Sequence, residues 1–230
     1  MSWTNTVARS RTLQKLFGGL LPEIGEAPIT GSFRLFVSLK DRTGPSYYVN
    51  RGGPAAFFHY EEREKAEILQ ALPREGVFFD IGANIGLFSF FVARHLPGAR
   101  IHAFEPHPAL AECLRRTSQA NGLQHVQVVE SCVGDRDGRI ELITHSKNSG
   151  GHTTRADQIG ADEKAASVGT RILKLDDYVR EQALTRLDVL KIDVQGAEWD
   201  VLAGGAESLR KFRPVLLMEL ENRELTADPA

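Results

Sequence analysis

The chain of 230 residues is poor in several things, and each scarcity removes a class of protein. It has two cysteines, Cys113 and Cys132, too few for the disulfide framework of a small secreted domain, and neither sits in zinc-ligand spacing with a histidine. A reducing, cytoplasmic setting is the expectation. An excess of charge of one sign is also missing, since the formal net charge is −2. That excludes a broad polycation held to nucleic acid by many phosphate contacts. The longest apolar stretch, near Gly86 to Ala93, falls short of the roughly 18 residues a spanning helix needs, and no signal-peptide core follows the start. Aromatic residues are 8% of the chain, and none falls between Thr144 and Gly169, so that segment offers no ring on which a sugar could stack. What remains is ordinary globular composition, 42% hydrophobic and 25% charged, at a length that suits one α/β domain.

The first 25 residues set Arg9, Arg11 and Lys15 beside Leu13, Leu16, Phe17, Leu20 and Leu21, a weakly amphipathic basic helix pattern. Such a helix could dock on the domain or make weak contact with a membrane surface. Residues Ile29 to Leu39 and Ser46 to Asn50 are β-prone and flank Asp41-Arg42-Thr43-Gly44, which predicts a hairpin. Residues 1–60 therefore read as a helix and hairpin extension, and 61–230 as the main domain. A helix is expected over Glu61–Leu72, stopped by Pro73.

From residue 76 short apolar runs alternate with helical segments, the signature of a parallel sheet covered on both faces. Strands are expected at Val77–Ile81, Arg100–Phe104, Val126–Ser131, Val189–Asp193 and Val215–Leu220, with helices at about Ile85–His95, Pro108–Asn121 and Ala197–Leu202. A further strand, Arg139–Ile143, follows the turn residues Asp135 to Gly138. The polar stretch Thr144 to Gly169 is too long for a plain connector and reads as a lid or substrate loop.

Three segments carry the chemistry. In Val77-Phe78-Phe79-Asp80-Ile81-Gly82-Ala83-Asn84-Ile85-Gly86 a buried strand ends in a carboxylate and runs through a glycine turn into a helix. Asn84 stands where a dinucleotide turn has its second glycine, so a close pyrophosphate approach is poorly served and an NAD-dependent oxidoreductase is disfavoured. Asp80 could instead accept hydrogen bonds from a cationic ligand. In Ile101-His102-Ala103-Phe104-Glu105-Pro106, Glu105 ends the next strand, where a carboxylate can take both ribose hydroxyls of an adenosine. In Val189-Leu190-Lys191-Ile192-Asp193, Asp193 ends another, ahead of Gly196 and Glu198. Ligands of open α/β sheets bind beyond the strands' carboxyl ends, so Asp80, Glu105 and Asp193 should converge on one cleft.

With Val133-Gly134-Asp135, Leu175-Asp176-Asp177 and Leu217-Met218-Glu219, these segments form six blocks in an order that resembles the FkbM family of S-adenosylmethionine-dependent O-methyltransferases. The resemblance runs from about residue 60 to 222. It implies a Rossmann-like class I methyltransferase fold, α/β, with a mostly parallel sheet and helices on both faces. It also implies that Asp80, Gly82, Asn84 and Gly86 hold the methionine part of S-adenosyl-L-methionine, that Glu105 holds the ribose, and that Ser131 and Cys132 lie near the adenine. The acceptor it implies is a hydroxyl on a sugar, glycolipid, polysaccharide or secondary metabolite. Asp193 is the expected catalytic group, positioning or deprotonating that hydroxyl, and His152 or His145 could supply a group titrating near neutrality. Where the family usually has Glu after Lys-Ile-Asp-Val this chain has Gln195, so no metal is expected. A methyltransferase-like module that binds but does not react is the remaining alternative.

Class I methyltransferases normally follow the fifth strand with a helix and two further strands, yet only residues 221 to 230 follow Leu220. Either the N-terminal hairpin covers the sheet edge or the chain is a C-terminal truncation, which the polar tail favours.

Overall fold

The structure is a computed structural model, and it describes residues 6, 7, 10, 12, 13, 16, 18–27, 29, 31–145, 147–155 and 165–220. Of the basic N-terminal pattern, Leu13 packs against the core and Leu16 and Leu20 are exposed. Arg9, Arg11, Lys15 and Phe17 lie outside the described residues, so the helix and its membrane contact do too.

The N-terminal hairpin differs from expectation. Its strands are β1 (Ile24–Ala27) and β2 (Leu35–Ser38), paired antiparallel, whereas Ser46 to Asn50 lie in a helix, α1 (Pro45–Gly52). The cause is local. The Asp41 carboxylate accepts from the N–H groups of Gly44 (2.8 Å) and Ser46 (3.0 Å), satisfying amides that the start of a helix leaves unpaired, and Pro45 is pre-set for a first helical turn. These local bonds override the β propensity of Tyr47, Tyr48 and Val49. Helices α2 (Ala56–His59) and α3 (Glu62–Ala71) follow, the latter close to its expected limits.

The main sheet has five parallel strands: β3 (Val77–Ile81), β4 (Arg100–Phe104), β5 (Val126–Val129), β9 (Val189–Ile192) and β10 (Val215–Met218). Between them come α4 (Leu87–His95), α5 (Pro108–Ala120), α6 (Leu175–Glu181), α7 (Glu198–Gly204) and α8 (Ala206–Phe212). Strand order is β10-β9-β3-β4-β5, so the chain leaves β3 first toward β4 and later returns on its other side at β9. This is the expected Rossmann-like arrangement, and β3 marks the switch point outside which a ligand crevice opens.

Alternation along β3 serves two cores. Phe78 joins Ile101, Phe90, Val92 and Leu114 on the face of α4 and α5, while Val77, Phe79 and Ile81 join Tyr178, Leu190 and Val201 on the other. The first core also takes Leu35, Val37, Val49 and Phe57 from the N-terminal segment. Burying each such side chain contributes about 1.5–3 kcal/mol, so that segment is part of the fold rather than an appendage.

A second sheet, ordered β6-β8-β7, holds β6 (Cys132–Gly134), β7 (Gly138–His145) and β8 (Ala165–Lys174). The strand expected over Val126–Ser131 thus ends at Val129, where a tight turn, with Ser131 N–H donating to the Val129 carbonyl (3.0 Å), redirects the chain into β6. The lid expected over Thr144–Gly169 is shorter, because β7 runs to His145 and β8 starts at Ala165. Residues 147–155 fold over the main sheet's strand ends, and 156–164 lie outside the described residues. On the edge strand β10, Val215 and Leu216 are exposed. Residues 221–230, on which the expectation about missing strands turns, lie outside the described residues. Among the described residues no helix is long and apolar enough to cross a membrane.

Candidate active site

A cavity of about 380 Å³ opens at the carboxyl ends of β3, β4 and β9, a volume within the usual range for small-ligand sites. The turns that form it touch each other. Gly82 has φ of +78°, and a Cβ there would stand 1.8 Å from the Asp193 carbonyl oxygen, so only glycine lets the β3 and β9 loops meet. Gly86 serves packing instead: its missing Cβ leaves room for Phe90 and Leu114, and it does not line the cavity. Asn84 does line it. Its side-chain amide donates to the Ser149 carbonyl (2.8 Å), tying the glycine turn to the roof.

Glu105 is 4% exposed and lies in the cavity wall. Its two carboxylate oxygens accept from the N–H groups of Asn84 and His107, each at 2.8 Å. Burial pushes its pKa up to about 7 despite these two bonds. Ser131 and Cys132 also line the cavity. The Ser131 hydroxyl donates to the carbonyls of Cys132 (2.8 Å) and Arg171 (3.1 Å), and burial pushes the Cys132 thiol up to about 12. The Ser131 proton is thus engaged within the chain, and the Cys132 thiol stays protonated.

Asp80 and Asp193 do not converge. Asp80 is fully buried behind the cavity, where its Oδ2 accepts from the Ser89 hydroxyl (2.6 Å) and N–H (3.1 Å). The reason is register: Asp80 is within β3, opposite Lys191, whereas Asp193 comes one residue after the end of β9 and turns into the cavity. The cationic-ligand role expected of Asp80 is thus filled by a residue of the chain itself. The Lys191 ammonium lies 3.5 Å from both Asp80 and Asp193, with its charge over the Phe88 ring at 4.7 Å. Burial opposes that charge, but Asp193, Asp80 and Glu61 outweigh it and hold the lysine above its ordinary pKa. Gln195 donates to Asp193 Oδ1 at 2.8 Å, so the residue that departs from the family pattern orients the expected catalytic carboxylate.

His152 lines the cavity, yet burial, aided by His107 and His145, lowers its pKa to about 4. That corrects the expectation of a group titrating near neutrality: a desolvated imidazole beside two others stays uncharged.

Sequence reasoning missed five contributors. Lys191 was legible as the one charge inside an otherwise apolar strand. Tyr60 and Glu61 reach the cavity from the start of α3, with Glu61 in the left-handed region at φ +46°, and nothing local marks them. Asp41 builds the roof, accepting from the Ser149 hydroxyl at 2.7 Å across a separation of 108 residues. Thr153 closes the other end by donating to the Gln195 carbonyl (2.7 Å).

A Rossmann-like sheet whose switch point carries a glycine turn, an acidic strand end and a second acidic turn defines a nucleoside-ligand class of α/β protein. Within it, the methyltransferase FkbM domain model matches residues 80–228, and the chain belongs to that family. It is 33% identical over 165 residues to the 2-O-methyltransferase NoeI of Sinorhizobium fredii, covering 65% of each chain. It is 34% identical over 160 residues to the methyltransferase sdnD of Sordaria araneosa, covering 58% of this chain and 61% of that one. It is 31% identical over 156 residues to the 31-O-demethyl-FK506 methyltransferase FkbM of Streptomyces tacrolimicus, covering 56% and 58%. The chain spans about three fifths of the length of these relatives.

Proposed function

We propose that this protein transfers a methyl group from S-adenosyl-L-methionine to a hydroxyl oxygen of a small-molecule or glycan acceptor. The acceptor class is a sugar, glycolipid, polysaccharide or secondary metabolite, in keeping with relatives named as a 2-O-methyltransferase and a 31-O-demethyl-FK506 methyltransferase. One observation carries the reading: the cavity is acidic. Among the described residues lining it, Glu61, Glu105, Asp193 and Glu219 face a single lysine, Lys191, which two carboxylates already neutralise. Such a wall suits a cationic adenosyl ligand and repels a pyrophosphate, which argues against NAD.

The residues fit that ligand group by group. Glu105 offers a buried carboxylate, with lone pairs beyond its two backbone bonds, to vicinal hydroxyls. Gly82 and Asn84 form the floor at the switch point, and Asp41 and Ser149 hold the roof over it. When bound, S-adenosylmethionine supplies an electrophilic methyl group. Asp193 aligns the acceptor hydroxyl and takes its proton, while Gln195 and Lys191 fix the carboxylate's orientation. Incubation with donor labelled in the methyl group and a panel of sugars, glycolipids and polyketide alcohols tests the proposal. Label recovered in a methyl ether is expected. Cofactor binding with no labelled product from any acceptor would leave a binding module in its place.

A further inference from the structure

Two imidazoles beside Glu105 are left over from this scheme. His107, whose N–H donates to Glu105, stacks on His152 from the roof, with ring centroids 4.6 Å apart and planes inclined by 27°. The Nδ1 atoms of both rings are buried and have no hydrogen-bond partner. Burial keeps both rings below the ordinary histidine pKa, so the stack is uncharged at neutral pH and offers nothing to a phosphate. His152 lines the cavity together with Pro106, Ser131, Cys132 and Leu142, where the Ser131 hydroxyl is turned to the carbonyls of Cys132 and Arg171.

Resting on the methyltransferase reading, we infer that the His107–His152 stack is the base platform of the cavity, with His152 carrying the adenine of the adenosyl ligand on its ring and His107 backing it. Glu105 places the ribose, and the stack stands directly beside Glu105, where the base of a nucleoside must follow its sugar. Neutral aromatic rings hold a base by its π-face. This gives His152 a binding role and takes it out of the proton chemistry.

The test compares S-adenosylhomocysteine with S-ribosylhomocysteine, which is the same molecule without the base, by calorimetry and competition. His152→Ala is expected to weaken S-adenosylhomocysteine about tenfold, the scale of one lost base stack, and to leave S-ribosylhomocysteine unchanged. His152→Phe, which keeps the ring and loses the nitrogens, is expected to bind S-adenosylhomocysteine within about threefold of wild type. Equal losses for both ligands, an unchanged affinity in His152→Ala, or a tenfold loss in His152→Phe would each overturn the platform. Should His152→Ala fail to fold, His152→Phe decides alone. Wild-type protein that binds neither ligand overturns the methyltransferase reading as well, whereas binding without dependence on His152 overturns the platform only.

Discussion

At the end of β3 the chain reads Asp80-Ile81-Gly82-Ala83-Asn84, and at the end of β9 it reads Asp193-Val194-Gln195-Gly196. Each turn has a carboxylate, a glycine of positive φ and a non-glycine residue in the left-handed region, Asn84 at +52° and Gln195 at +53°. The two carboxylates nonetheless have opposite fates. Asp80 is inside its strand and is sealed under α4 by Ser89, while Asp193 is past the end of its strand and is partly open to the cavity. One lysine, Lys191, joins them. Asp80 stands one residue before the end of its strand and Asp193 one residue past the end of its own, so two positions of register separate a sealed carboxylate from one that reaches the cavity, and composition alone does not distinguish the two. The left-handed residues cost about 1–3 kcal/mol each where they are strained, and both stand at the cavity, where such strain concentrates.

That contrast can be broken or sharpened by substitution. The largest effect is expected from Asp193→Ala, which should lower methyl transfer by about a thousandfold, within the range for removing a proton-transfer group, while S-adenosylhomocysteine still binds. Normal turnover would remove Asp193 from the mechanism. Asp80→Ala should act on folding instead. It strips Lys191 of its buried partner and leaves the Ser89 hydroxyl unpaired, so urea denaturation should show a loss of about 3–5 kcal/mol. If Asp80→Ala were as stable as wild type, the buried ion pair would have no structural role.

The smallest effect concerns Glu105. Its folded pKa of about 7 lies above the unfolded carboxylate value, so the folded chain holds a proton that the unfolded chain has lost, and stability falls as pH rises from about 4.5 to 7. Ribose hydroxyls donate to the ionised form, so binding runs the other way. S-adenosylhomocysteine affinity should rise about tenfold between pH 6 and 8, and Glu105→Gln should bind more weakly with a flat profile. A pH-independent wild type would take Glu105 out of the site.

The strands and their carboxyl-end residues were legible because buried parallel strands are continuous apolar runs, and the charge that ends such a run is conspicuous. Glu105 and Asp193 were found this way and line the cavity, and the same reasoning misassigned Asp80, since a run's last charge can lie on either side of the final hydrogen bond. The roof was not legible. Asp41 and Ser149 are joined across 108 residues, and neither stands in a pattern that predicts the other. Ser46 to Asn50 looked like a strand because the Asp41 bonds that favour a helix there depend on side-chain geometry and not on propensity.

The central claim is that an acidic cavity at the switch point of β3 holds an adenosyl ligand and not a dinucleotide. Calorimetric titration of the wild-type chain with S-adenosylmethionine, S-adenosylhomocysteine and NAD tests it most directly. Both adenosyl ligands should bind, and NAD should give no heat of binding. Binding of NAD with none of either adenosyl ligand would contradict the account.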